Sequence, residues 1–183
     1  ERGAKVAVAA RRKDRLDELV TRIEAAGGTA LAIEADMTDQ HQAEATVART
    51  VEALGRLDTL FNNAGVMLLA PAKHSDVADW DRMVDINIKG LLYTAHAALP
   101  HLLSAADDSP RGVADLVNTS SVAGRLARAG SSVYNLTKFG VTAFTDALRQ
   151  EVASNHVRVS AVEPGLVATE LTDHMNDRAK AAL

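Results

Sequence analysis

KVAVAARRKDRLDELVTRIEAAGGTALAIEA, residues 5–35, reads as a complete strand–helix–strand unit. Lys5 to Ala10 is a short apolar run of strand length. From Arg11 to Ala26 the period changes, with Leu16, Leu19, Val20 and Ile23 at helical spacing and charges between them. Gly27-Gly28 stops that helix, and Thr29 to Ala35 resumes an apolar strand.

The alternation continues along the chain. Thr38 or Asp39 caps a helix to about Leu54, which Gly55 ends. Leu57 to Phe61 is a third strand, closed by the turn Asn62-Asn63-Ala64-Gly65. A helical pattern then runs from Ser75 or Asp76 to His101 or Leu103, with Pro100 near its end. Val113 to Thr119 is a fourth strand, Ser132 to Ser154 a long helix, and Val157 to Val162 a fifth strand broken by Pro164-Gly165. Apolar strands alternating with helices predict an α/β fold with a doubly wound parallel sheet. Such sheets bind ligands beyond the C-terminal ends of their strands. Here those ends read AARR, ADMTD, NNAG, NTSSVAG and EPGLVAT.

The 183 residues, 47% hydrophobic and 24% charged, fit one ordinary globular domain. A net charge of −4 argues against a general nucleic-acid binder. The absence of cysteine excludes disulfides and thiolate-held zinc. His41, His74, His96, His101, His156 and His174 show no ligand spacing, so no metal is expected. No apolar run is long enough to span a bilayer, and the plain expectation is a cytoplasmic protein with no membrane partner.

The stretch SSVYNLTKFG, residues 131–140, carries the chemistry. Tyr134 and Lys138 stand i and i+4, on one helix face. A phenol ionises near pH ~10. A neighbouring ammonium favours the phenolate, which predicts a lowered Tyr134 pKa and a general acid/base. Ser121 follows the fourth strand with a hydroxyl suited to a substrate oxygen, while Ser120 is expected to face the other side.

Ser121 thirteen residues before Tyr134, with YNLTK as Y-x-x-x-K, resembles the short-chain dehydrogenase/reductase family. Asn62-Asn63-Ala64-Gly65 resembles its N-N-A-G turn, Asn87 in DINIKG its helical asparagine, Asp36 in ADMTD its acidic residue, and the segment from Pro164 to Thr169 its P-G-x-V-x-T. The resemblance implies a Rossmann-like fold and a catalytic tetrad of Asn87, Ser121, Tyr134 and Lys138. It also implies cofactor contacts from Asp36 and Met37 at the adenine. Asn63, Ala64 and Gly65 would serve the adenosine side, Tyr134 and Lys138 the nicotinamide ribose, and Pro164, Gly165, Val167 and Thr169 the carboxamide end.

Ala10 ends the first visible strand where a carboxylate would favour NAD(H), and Arg11 and Arg12 follow. Guanidinium groups match a 2′-phosphate, so NADP(H) is expected over NAD(H). The family's T-G-x-x-x-G-x-G segment is not present, and Glu1-Arg2-Gly3 reads as the tail of the helix behind it. The family's sheet order is 3-2-1-4-5-6-7, so the resemblance leaves a gap at the central first strand. A fragmentary record of a longer enzyme is the expectation; if these residues are the whole molecule, poor folding and little activity are expected.

The substrate pocket is expected along Val66 to Pro71, Gly124 to Ser131 and the segment after Gly165. GVMLLAP is largely apolar and suits a ketone or secondary alcohol. VMLLAP and YNLTKFGVTAF resemble the clavulanate-dehydrogenase-like branch. The family resemblance implies a homodimer or homotetramer through the helices at 76–103 and 132–154. Three other readings remain: a sugar-nucleotide epimerase or dehydratase sharing Y-x-x-x-K, a non-catalytic dinucleotide sensor or scaffold, and an inactive fragment.

Overall fold

The computed structural model of the chain describes residues 3–167 and 170–172. Strand β1 is Lys5–Ala10, helix α1 Lys13–Ala25, β2 Thr29–Glu34 and α2 Gln40–Leu54. Strand β3 is Thr59–Asn62, followed by α3 Val77–Val84, a π turn Asp85–Gly90 and α4 Leu91–Asp108. Strand β4 is Ala114–Thr119, α5 Ser132–Val152 and β5 Val157–Val162.

Local chemistry explains the boundaries. The Asp39 carboxylate accepts from the Gln42 backbone N–H at 3.0 Å and starts α2. Gly55, at φ +88°, ends it in the left-handed region that glycine tolerates. Leu57 and Asp58, expected in the third strand, lie in the turn before it, where Asp58 pairs with Arg56 at 2.9 Å. The helix expected to stop near Pro100 instead continues to Asp108. Pro100 is on the exposed face, while Ala98, Leu102, Ala105 and Ala106 are buried and hold the last turns against the core. Their burial outweighs the one backbone hydrogen bond a proline removes.

All strand pairs are parallel, but they form two sheets. One pairs β1 with β2, from Lys5↔Thr29 to Ala10↔Glu34. The other runs β3-β4-β5. Strands β1 and β3 are not paired, and residues of both line a groove of about 1540 Å³. Val6 (37% exposed) and Phe61 (54% exposed) stand along it. The break falls where the resemblance places the absent central strand. Helix α2 contacts β1, β2 and α4, and so bridges the two sheets.

The main core surrounds β4 and β5. Ala114, Leu116, Val157 and Val159 pack against Ala98 and Leu102 of α4, Leu148 and Val152 of α5, and Val47 of α2. A second cluster, Val66, Leu68, Met83 and Tyr134, lies at the C-terminal ends of the strands. No described helix is long and apolar enough to cross a membrane.

Candidate active site

Helix α5 begins just after Ser131, so Tyr134 and Lys138 sit in its first two turns, beside the end of β4. Both are buried, at 7% and 5% exposed. The Lys138 ammonium donates to the Thr119 carbonyl at 2.8 Å and lies 5.8 Å from the centre of the Tyr134 ring. Burial lowers the Lys138 pKa to about 8. The Tyr134 pKa is raised by burial, and the nearby Ser121 hydroxyl works in the opposite direction. The lowered phenol expected from the spacing is therefore not what this structure shows. The lysine's proton is directed at a backbone carbonyl, and desolvation of the phenolate wins.

Ser121 is the last residue before a short turn at Val122–Gly124. Its Oγ accepts from the Ala123 backbone N–H at 3.1 Å and donates to the Pro164 carbonyl at 3.4 Å. Ser120 has different partners, donating to the Lys138 carbonyl at 3.0 Å and sharing a hydrogen bond with Thr142 at 2.9 Å. Gly124 closes tightly over that pair: a Cβ there would lie 2.6 Å from Ser120 Oγ and 2.8 Å from the Lys138 carbonyl.

Asn87 reaches the site from the π turn and is fully buried. Its Oδ1 accepts from the Val66 N–H at 2.8 Å. Its Nδ2 donates to the Val66 carbonyl at 2.9 Å and to Thr137 Oγ1 at 3.1 Å. The amide thus ties the loop after β3 to α5, one residue from Lys138. Gly65 fits between these groups: a Cβ there would lie 3.2 Å from Asn87 Oδ1 and 3.7 Å from Lys138 Nζ. Asn87 is thus linked to the helix of Tyr134 and Lys138 through Thr137 and lies with Lys138 around Gly65, and the Ser121 hydroxyl stands beside Tyr134.

Sequence reading missed the polar side chains that brace the site. Thr94 donates to Asn62 at 2.7 Å, Asn62 to Asn118 at 3.0 Å, and Asn118 to Thr145 at 2.9 Å. This line links α4, β3, β4 and α5 through the core. Its one legible signal is an asparagine at the end of each strand, at 62 and 118.

Arg11, Arg12, Asp36, Met37, Asn63, Ala64 and Gly65, singled out as cofactor contacts, all line the groove between the sheets. Arg11 is exposed. Arg12 pairs with Glu170 at 2.9 Å. The Asp36 carboxylate is used locally, accepting from the Thr38 N–H at 3.0 Å and its hydroxyl at 2.9 Å. Asn63 Oδ1 accepts from Thr119 Oγ1 at 3.1 Å. The Pro164 carbonyl accepts from the Val122 N–H at 3.1 Å. Gly165 and Val167 are exposed, and Thr169 lies outside the described residues. Gly90 brings α4 onto this region, since a Cβ there would lie 2.8 Å from the Met37 carbonyl. The residues at the C-terminal strand ends fit a dinucleotide: Arg11 stands exposed after β1, and Gly65 keeps the chain after β3 free of a side chain where a Cβ would lie 3.7 Å from Lys138 Nζ. Among the described residues, no group of three His, Asp or Glu side chains is placed to hold a metal ion.

An uncharacterized oxidoreductase of Staphylococcus saprophyticus is 36% identical over 181 residues, covering 97% of this chain and 70% of its own. Among solved structures, a gluconate 5-dehydrogenase from Burkholderia cenocepacia J2315, in complex with NADP and tartrate, superposes with a TM-score of 0.83. It is 26% identical and covers 93% of this chain and 64% of its own. A short chain dehydrogenase/reductase from Burkholderia phymatum, in complex with NAD, gives 0.86 at 28% identity, covering 93% and 59%. The chain thus spans less than two thirds of the length of these solved structures. The clavulanate-dehydrogenase-like branch does not follow from these matches. The family model for short chain dehydrogenases matches residues 1–180, and with the fold and the Ser121–Tyr134–Lys138 arrangement it shows that the chain belongs to that family.

Proposed function

We propose that the chain carries the catalytic part of an NADP(H)-dependent oxidoreductase that interconverts a ketone or aldehyde and an alcohol. The observation that supports it most is the buried cluster of Asn87, Ser121, Tyr134 and Lys138 at the C-terminal ends of the strands, with Gly65 closing against it. The bound nicotinamide would supply or accept the hydride. Ser121 hydrogen-bonds the substrate oxygen, and Tyr134, a phenol that is protonated at neutral pH and that burial keeps so, donates to that oxygen on reduction. Lys138 holds a positive charge beside the phenol, and its pKa of about 8 lets it pass a proton near neutrality. Asn87 keeps the loop at Val66 and helix α5 in register around them.

The preference for NADP(H) rests on Ala10 at the end of β1, where no carboxylate meets a 2′-phosphate, and on Arg11 exposed on the groove. The Burkholderia neighbours were solved with NADP in one case and NAD in the other, so the proposed preference is argued from Ala10 and Arg11 alone. Leu92 on α4 and Leu136 and Phe139 on α5 are exposed, which supports assembly into dimers or tetramers through those helices. The partner is then a small carbonyl or alcohol, and neither a nucleic acid nor a membrane. Titration with NADPH and NADH, followed by nicotinamide fluorescence, tests the cofactor reading. NADPH binding about tenfold or more tightly supports it, and equal affinities contradict it.

A further inference from the structure

We infer that Asn135 is a positioning residue that sets the substrate-side wall, by tying the loop at 122–131 to the helix that carries Tyr134 and Lys138. The inference rests on the reductase reading above for its kinetic consequence, but not for its structural one. Asn135 is 5% exposed. Its Nδ2 donates to the Ala123 carbonyl at 2.7 Å and to the Leu126 carbonyl at 3.0 Å. Its Oδ1 accepts from Ser131 Oγ at 2.6 Å and from the Arg128 N–H at 3.3 Å.

A primary amide has two donor hydrogens and two acceptor lone pairs. All four are used here, each on a different residue of one loop. The start of the loop, Val122 to Gly124, is also held by backbone hydrogen bonds and by the close packing of Gly124 on α5, whereas Arg125 to Gly130 has fewer anchors of its own. Leu126 is 57% exposed and buries no anchor. Arg125 pairs with Glu163 at 2.8 Å, but its side chain is largely solvated, so that pair adds little. A buried amide is costly unless its hydrogen bonds are made, so this side chain is placed to hold the loop. The loop starts at Ser121 and returns at Ser131, beside Tyr134. Its path therefore sets the distance between the wall facing the substrate and the two groups that meet the substrate oxygen.

Amide hydrogen exchange on the full chain tests this first. In Asn135→Ala, amides at 122–131 should exchange about tenfold or more faster, while β4 and the rest of α5 keep wild-type protection and NADPH affinity is unchanged. Asn135→Asp keeps both acceptors and loses both donors, so protection should persist at Arg128 and fall on the Ala123–Leu126 side. Ser131→Ala removes the hydroxyl shared between Asn135 Oδ1 and the Arg128 carbonyl, keeps both Asn135 donors, and should give a smaller, local loss. If Asn135→Ala loses protection throughout, the Asp and Ser131 variants decide. With cyclohexanone, acetophenone and 2,3-butanedione as probes, Asn135→Ala should raise KM about tenfold and leave kcat nearly unchanged. Loop exchange like wild type, or a loss of kcat with KM unchanged, would overturn the inference. If the wild-type chain turns over none of these ketones, the reductase reading fails for them, and the exchange data still decide whether Asn135 holds the loop.

Discussion

Lys138 is buried with a charge that its surroundings oppose, and two predictions follow from that. Its pKa is about 8 in the fold against 10.5 in its ordinary state. Between those values the unfolded chain binds more protons, so stability rises with pH across the interval. Below it the cost of burying the charged amine is felt in full, about 3 kcal/mol from the size of the shift. Tyr134 acts the other way above its ordinary 10.0, where the unfolded chain ionises first and stability falls. Urea unfolding at intervals from pH 8 to 10 should show the rise in wild type and a flatter profile in Lys138→Met. Tyr134→Phe removes the proton donor and should lower kcat about 10²–10⁴-fold with NADPH affinity retained, measured by steady-state kinetics and fluorescence titration. The spacing of Tyr134 and Lys138 was legible in the sequence. The sign of the phenol's shift was not, because it depends on how deeply α5 buries the pair and on the Thr119 carbonyl that accepts the ammonium's hydrogen bond.

At the scale of elements, close approaches do the positioning. Gly124 lies where α5 meets the end of β4, and a Cβ would fall within 3 Å of three atoms, two of them on α5. Gly124→Ala should cost about 1–3 kcal/mol in urea unfolding and lower kcat, because the strain falls on the turn that carries Lys138. A change to alanine at Gly55, where no atom lies within 4 Å, should cost only the price of its positive φ. Strands β1, β2, β4 and β5 and helices α1, α2 and α5 could be read from apolar period and caps. The run past Pro100 could not, since the buried residues that extend α4 gain their value only from β4 and β5. Likewise the line from Thr94 to Thr145 joins four elements, and only the asparagines at 62 and 118 hint at it.

Across the whole molecule the two parallel sheets meet at a groove, not at a ladder. Strand β4 is paired on both sides, whereas β1 and β3 each pair on one side only. Unpaired strand edges leave backbone groups to solvent and lower local stability. Hydrogen exchange should therefore find β4 most protected, and the β1–α1–β2 unit opening about tenfold or more readily. Uniform protection would count against the split. The break was foreseeable from family sheet order alone; that α2 still bridges the sheets came only with the packing. The central claim is that these residues transfer hydride between NADPH and a carbonyl with Tyr134 as the acid. It is tested most directly by following NADPH oxidation with a panel of ketones, wild type beside Tyr134→Phe at matched cofactor occupancy. The account predicts ketone-dependent oxidation by wild type and near-complete loss in the variant. Equal rates in the two proteins, or bound NADPH that no ketone oxidises, would contradict it.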